Sequence, residues 1–118
     1  MTKRILIAED DMGSREILTI YAKNHGYEVV AVTDGVELLT VFAKERFDLV
    51  ITDLMMANLN GASATEIMKL QGNTIPVIAL TALSPDDIHL VQDKFTKIFH
   101  KPCNYDVLFE YVESLVGK

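Results

Sequence analysis

The chain has 118 residues, 49% of them apolar, which is enough to bury one core and leaves no room for a second ordinary domain. Its formal net charge of −6 excludes the basic footprint that binding a nucleic-acid backbone demands. No apolar stretch approaches the roughly twenty residues of a membrane span, the apolar run after Met1-Thr2-Lys3-Arg4 is too short for a signal-peptide core, and the lone Cys103 rules out an internal disulfide framework. The expectation is a single domain over residues 1–118, soluble and cytoplasmic, with no direct nucleic-acid or membrane partner.

Ile5-Leu6-Ile7-Ala8 reads as a first strand, with Glu9, Asp10 and Asp11 just past its end. Ile17, Leu18, Tyr21 and Ala22 then recur at helical spacing, and Gly26 serves as a C-terminal stop. After the second strand, Val29-Val30-Ala31-Val32, Asp34 and Glu37 resemble a capping box ahead of Leu38, Leu39 and Phe42. The third strand, Leu49-Val50-Ile51, is followed by Asp53, and a helix starting near Gly61 turns Ala64, Ile67 and Met68 inward. Val77-Ile78-Ala79-Leu80 is the fourth strand with Thr81 after it. Ser84-Pro85-Asp86-Asp87 then supplies an N-cap, a proline at the first helical position and an acid at the third. A weaker fifth strand, Ile98-Phe99, precedes Lys101, and a last helix after Asn104 buries Leu108, Val112 and Leu115.

The strand segments are continuously apolar rather than alternating, as strands covered on both faces read. Five β-then-α units of this kind predict a doubly wound parallel α/β sheet whose ligand site lies beyond the carboxyl ends of the strands. Oxygen-bearing side chains follow three of those ends and an ammonium follows a fourth. Taken singly, Glu9-Asp10-Asp11 reads as a solvated turn, Asp53 as a helix cap and Thr81 as an ordinary strand-end residue. Their convergence on one edge points to a site. Carboxylates that share a cleft repel unless one is protonated or a cation joins them, and all-oxygen donors suit Mg²⁺, which takes phosphate oxygens readily. A lysine as point charge and a threonine hydroxyl as donor complete a set fit for phosphate chemistry.

These residues resemble the receiver domains of two-component response regulators over essentially the whole chain. The resemblance rests on Ile5 to Asp11, on Asp48 to Met56 with Gly61 closing the loop, on Pro76 to Ala82, and on Lys101-Pro102. It implies a CheY-like, flavodoxin-like sheet of order 2-1-3-4-5, with helices one and five on one face and two, three and four on the other. By position it implies that Asp53 is phosphorylated by a histidine kinase or histidine phosphotransfer protein. Asp10, Asp53 and the backbone carbonyl of Met55 would hold Mg²⁺, or Mn²⁺ in its place, and Glu9 would reach the metal through water. Thr81 and Lys101 match the switch hydroxyl and the phosphate-contacting lysine, the latter followed by a cis bond to Pro102.

Departures from the family pattern are Glu9 for the commoner aspartate, Ala57 for a proline, Asn60 for an aspartate, and Ile98 where many receivers carry an aromatic switch residue. Downstream, the face of helix four, strand five and helix five is expected to meet a partner, whether the chain stands alone or belongs to a hybrid kinase or longer regulator. Such a domain catalyses only its own phosphorylation and dephosphorylation, and the apolar Met55 and Leu83 flanking the path of water are expected to slow the latter. A haloacid-dehalogenase-like phosphatase is the competing reading. It needs a second aspartate two positions after the nucleophile, where Met55 stands.

Overall fold

The computed structural model describes residues 2–118. Its elements alternate without exception: β1 (Arg4–Ala8), α1 (Met12–Asn24), β2 (Glu28–Val32), α2 (Gly35–Lys44), β3 (Leu49–Asp53), α3 (Gly61–Leu70), β4 (Val77–Thr81), α4 (Pro85–Ile88), β5 (Lys97–His100) and α5 (Tyr105–Val116), with a 3₁₀ turn at Gln92–Lys94 before β5. The strands form one parallel sheet in the order β2-β1-β3-β4-β5.

Strand pleating divides the core in two. Ile5, Ile7, Leu49, Ile51, Ile78 and Leu80 point to one side, where Leu18 and Ala22 of α1 and Leu108, Phe109 and Val112 of α5 cover them. Leu6, Ala8, Val50, Val77 and Ala79 point to the other, against Leu38 of α2 and Ala64 and Met68 of α3. At the central strands β3 and β4 every residue is buried, which is why their sequences show no alternation.

Helix ends follow their cap chemistry. Past α1, the Gly26 N–H bonds the Lys23 carbonyl at 2.9 Å and the Tyr27 N–H the Ala22 carbonyl at 3.1 Å, a Schellman closure with Gly26 at φ 91°. At α2, Asp34 Oδ1 accepts from Glu37 N at 2.8 Å, but the Glu37 carboxylate accepts in return from Thr33 N, one residue before the cap. Ile17 and Leu115 lie at the margins of their helical stripes, and Phe109, fully buried, takes a share of the α5 contact that the periodicity assigned to Leu115.

Helix four is where expectation and structure part most. It runs for one turn only. The Ser84 hydroxyl donates to Asp87 Oδ2 at 2.9 Å and caps no backbone N–H, so the acid meant to complete the cap withdraws it instead. Beyond Ile88 the chain tightens: Val91, Lys94 and Phe95 each donate three residues back, to Ile88, Val91 and Gln92. Leu90 is left 80% exposed.

Gly61, first residue of α3, lies against the backbone carbonyl of Asp53 and the hydroxyl of Thr52, and a Cβ there would fall well inside contact distance of that carbonyl. Neither atom belongs to a flexible side-chain end. Gly61→Ala is therefore expected to destabilise the protein by at least about 2 kcal/mol, read as a lower urea midpoint at unchanged slope.

Candidate active site

Parallel register brings the strand ends level. Ala8 pairs with Thr52, Asp53 with Leu80 and Thr81 with His100, so the residues just after them meet at the carboxyl edge of the sheet. Parity then sorts the side chains. Glu9, Asp53 and Lys101 continue the alternation of Ile7, Ile51 and Phe99, on the α1–α5 side. Thr81 continues that of Val77 and Ala79, on the other side.

The three residues of like parity meet. Lys101 Nζ donates to Glu9 Oε1 at 2.5 Å and to Asp53 Oδ2 at 2.6 Å. Lys101 is itself set by its backbone N–H, which bonds the Thr81 carbonyl at 2.7 Å one step beyond the β4–β5 ladder. The Lys101–Pro102 peptide is cis. Asp53 is 6% exposed, and its other oxygen, Oδ1, accepts from Met55 N at 3.0 Å. Asp10 is exposed at the mouth, and one oxygen each from Glu9, Asp10 and Asp53 lie within 4.8 Å of one another.

Three carboxylates thus face one ammonium, and Lys101 occupies the place of a cation among them. Lys101 pairs only with Glu9 and Asp53, and hard oxygen donors that outnumber the ammonium fit Mg²⁺, which needs only one or two carboxylates from the protein. Burial is the main influence on Glu9, which is 1% exposed; with the Asp53 charge it outweighs the Lys101 and Asp11 hydrogen bonds and pushes the carboxyl up to about 7. At Lys101 burial acts in the lowering direction but is overcome by the bonds to Asp53 and Glu9, so the ammonium is held well above its usual range. The Cys103 thiol, half-buried nearby, is raised by burial and so is a poor nucleophile.

A stability effect follows from Glu9. The folded carboxyl holds its proton up to about 7 whereas the unfolded one releases it near 4.5. The folded state therefore binds more protons between those values, and the metal-free protein loses stability as pH rises through that window, by roughly 2–3 kcal/mol in all. Thermal melts of metal-free wild type and Glu9→Gln across that range should show a falling trend in the first and a flatter one in the second.

The side chains of the remaining predicted residues stand apart from this cluster. Thr81 is fully buried, and its Oγ1 accepts from Leu83 N at 2.9 Å rather than meeting a carboxylate. The Met55 side chain is 60% exposed and lines, with Leu83, a shallow cavity of about 170 Å³ beside α4. Ile98 is half-buried against the α2–α3 core, while its neighbour Phe99 packs on the opposite core. His100 is exposed.

Two supports went unread in the sequence. Arg15 Nη1 donates to the carbonyls of Glu9 at 2.9 Å and Asp10 at 3.3 Å, fixing the acidic turn from α1; a lone arginine one turn into a helix carries no signal of that task. Asn58 takes φ 66° in the loop after Asp53 and bonds Asp34, and an asparagine in a loop is a residue that tolerates such a conformation.

A doubly wound sheet of order 2-1-3-4-5 gathers acids and a lysine at its carboxyl edge. The chain belongs to the response regulator receiver domain family, whose profile matches residues 5–113. It is 35% identical to the transcriptional regulatory protein GlrR of Escherichia coli over 113 residues, covering 93% of this chain and 25% of that protein. It is 34% identical to the CAI-1 autoinducer sensor kinase/phosphatase CqsS of Vibrio cholerae over 119 residues, covering 97% of this chain and 17% of that one. The chain thus spans a quarter or less of the length of these relatives. Among solved structures, the response regulator TrrA of Thermotoga maritima in complex with Mg²⁺–BeF superposes with a TM-score of 0.89 at 31% identity, over 97% of this chain and 99% of that one. Among the described residues no helix is long and apolar enough to cross a membrane.

Proposed function

We propose that this receiver takes a phosphoryl group on Asp53 from a histidine kinase or histidine phosphotransfer protein. The observation that carries the reading is the near-buried Asp53 carboxylate, bridged to Glu9 by Lys101 within reach of Asp10 at the sheet edge. Asp10, Asp53 and the Met55 carbonyl would hold Mg²⁺, with Glu9 acting through water; Mn²⁺ has the same oxygen preference. When bound, the metal neutralises charge that two approaching anions would otherwise oppose.

The chain's own residues do the rest. A carboxylate oxygen of Asp53 attacks phosphorus, the P–N bond to the donor imidazole breaks, and the electron pair leaves with the imidazole nitrogen. Lys101 moves its charge from the Asp53 carboxylate to a phosphoryl oxygen. The Thr81 hydroxyl, which now only accepts, has its proton free to donate to another phosphoryl oxygen. Water later cleaves the acyl phosphate, slowly because the side chains of Met55 and Leu83 crowd its approach. The domain acts on no other substrate. Drawn toward the phosphoryl group, Thr81 would bias β4, β5 and the short α4, and the face of α4, β5 and α5 would meet the downstream partner. With Ile98 in place of an aromatic, that bias is carried by packing on the α2–α3 core rather than by a ring turning inward.

Both a transcriptional regulator and a sensor kinase contain a matching segment, so residues 1–118 act as one receiver unit in either setting. Intact-mass measurement after incubation with acetyl phosphate and Mg²⁺ tests the reading. A single phosphate adduct that vanishes without metal is expected; no adduct from a protein that binds Mg²⁺ would point to a non-phosphorylated binding module.

A further inference from the structure

The loop after Asp53 is held at both ends by backbone hydrogen bonds. Leu54 N donates to the Leu80 carbonyl at 3.2 Å, and the Leu54 carbonyl accepts from Gly61 N at 3.2 Å. Between these points the chain makes an unusual turn. Leu59 N bonds the Ala57 carbonyl, two residues back, at 2.7 Å, with Asn58 between them at φ 66°, the one non-glycine residue with positive φ among those described. A three-residue turn of this hand is rare and strained, and persists only when its surroundings enforce it.

What enforces it lies on α2. Asn58 Nδ2 donates to Asp34 Oδ2 at 2.7 Å, and Asp34 Oδ1 is fixed by Glu37 N at 2.8 Å as the helix cap. Among the described residues this is the one hydrogen bond from residues 56–59 to another element. The backbone at Gly35 meets the Leu59 carbonyl so closely that no Cβ could be inserted. The Glu37 and Asn58 bonds hold the Asp34 carboxyl below its usual range, as a doubly engaged carboxylate requires.

We infer that Asp34 is a positioning residue for the phosphorylation site: through its bond to Asn58 it holds the strained turn, and so presets the Met55 carbonyl three residues upstream for the metal. Asp34 touches no reacting atom. A hydrogen bond to a charged acceptor is of the same order as the strain of one non-glycine residue in the left-handed region, so removing it frees the turn to relax. Metal binding must then re-order the loop, and affinity falls by the fraction of molecules that are ordered beforehand. The inference rests on the proposed Mg²⁺ site.

Three variants of the whole chain decide it, compared with wild type by calorimetric titration with MgCl₂ and by amide exchange of Leu59 in the metal-free protein. Asp34→Ser keeps a good helix cap but is too short to reach Asn58. Asn58→Ala leaves the cap untouched. In the double variant Asp34→Ser/Asn58→Gly the glycine adopts positive φ without cost, so there is no strain to restrain. Both single variants should bind Mg²⁺ about fivefold to tenfold more weakly and exchange the Leu59 amide faster, with phosphorylation by acetyl phosphate restored at saturating Mg²⁺. The double variant should recover to within about threefold of wild type. Should Asp34→Ser fold poorly, Asn58→Ala gives the same reading with α2 intact. Wild-type affinity and exchange in the single variants, or a double variant no better than Asp34→Ser, overturn the inference while leaving the site itself standing. A wild type that binds no Mg²⁺ overturns the site and the inference together.

Discussion

Replacing Asp53 by asparagine is expected to abolish the phosphate adduct altogether, while the protein keeps its fold. The amide is isosteric with the carboxylate, so the bond from Met55 N to the Oδ1 position survives, and Gly61 still packs on the unaltered backbone carbonyl. What disappears is the nucleophile, since an amide oxygen does not form an acyl phosphate. The change also removes one negative charge from beside Lys101 and Glu9. Two readouts separate nucleophile from fold: intact mass after acetyl phosphate with Mg²⁺, and the melting temperature. Loss of more than about a hundredfold in adduct formation at near-native stability is the expected pair. A persistent adduct at full yield would place the acceptor on another side chain, which peptide mapping would identify.

Lys101→Met should produce the second-largest effect, and its size depends on the metal. The ammonium bridges Glu9 and Asp53, which are 1% and 8% exposed at their side chains, and is itself 27% exposed. Without metal, removing it leaves the nearly buried Asp53 carboxylate uncompensated and Glu9 without its bond partner. Breaking a fully buried pair costs about 3–5 kcal/mol, and the partial exposure of the lysine reduces this to about 2 kcal/mol. A melting-temperature drop of about 10 °C follows for a domain of this size. Millimolar Mg²⁺ should restore much of that loss, because a divalent cation among the same carboxylates replaces the missing charge. Phosphorylation should not recover. Without the point charge on the phosphoryl oxygens the rate at saturating Mg²⁺ is expected to fall about a hundredfold. Full-rate phosphorylation in the variant would reduce Lys101 to a counter-ion for the metal-free state.

The fold was legible because burial on both faces leaves a plain trace. Leu49-Val50-Ile51 and Val77-Ile78-Ala79-Leu80 are unbroken apolar runs, and they became the central strands. Acids and a lysine beyond the strand ends were legible for a related reason, since the topology of a parallel sheet fixes where those ends must meet. What could not be read was set by competition between side chains. Ser84 and Asp87 have the letters of a helix start, yet they bond one another and the helix stops after one turn. Nor could the sequence show that Arg15 would hold the acidic turn or that Asn58 would find Asp34, twenty-four residues away, because such pairings exist only once the layers have closed. Parity in the pleat, by contrast, was available from the register of each strand and explains why Lys101 met Glu9 and Asp53 while Thr81 did not.

That parity gives the sheet the character of a partition between two packed layers. Side chains on the α1–α5 side and on the α2–α3 side belong to separate cores, so one layer meets the other through the strand backbones. At the carboxyl rim, however, the Thr81 carbonyl receives the Lys101 N–H while the Thr81 hydroxyl belongs to the far side. One residue is therefore bonded in both compartments, and under the proposed mechanism Thr81 is the point at which an event at Asp53 would pass from one side to the other.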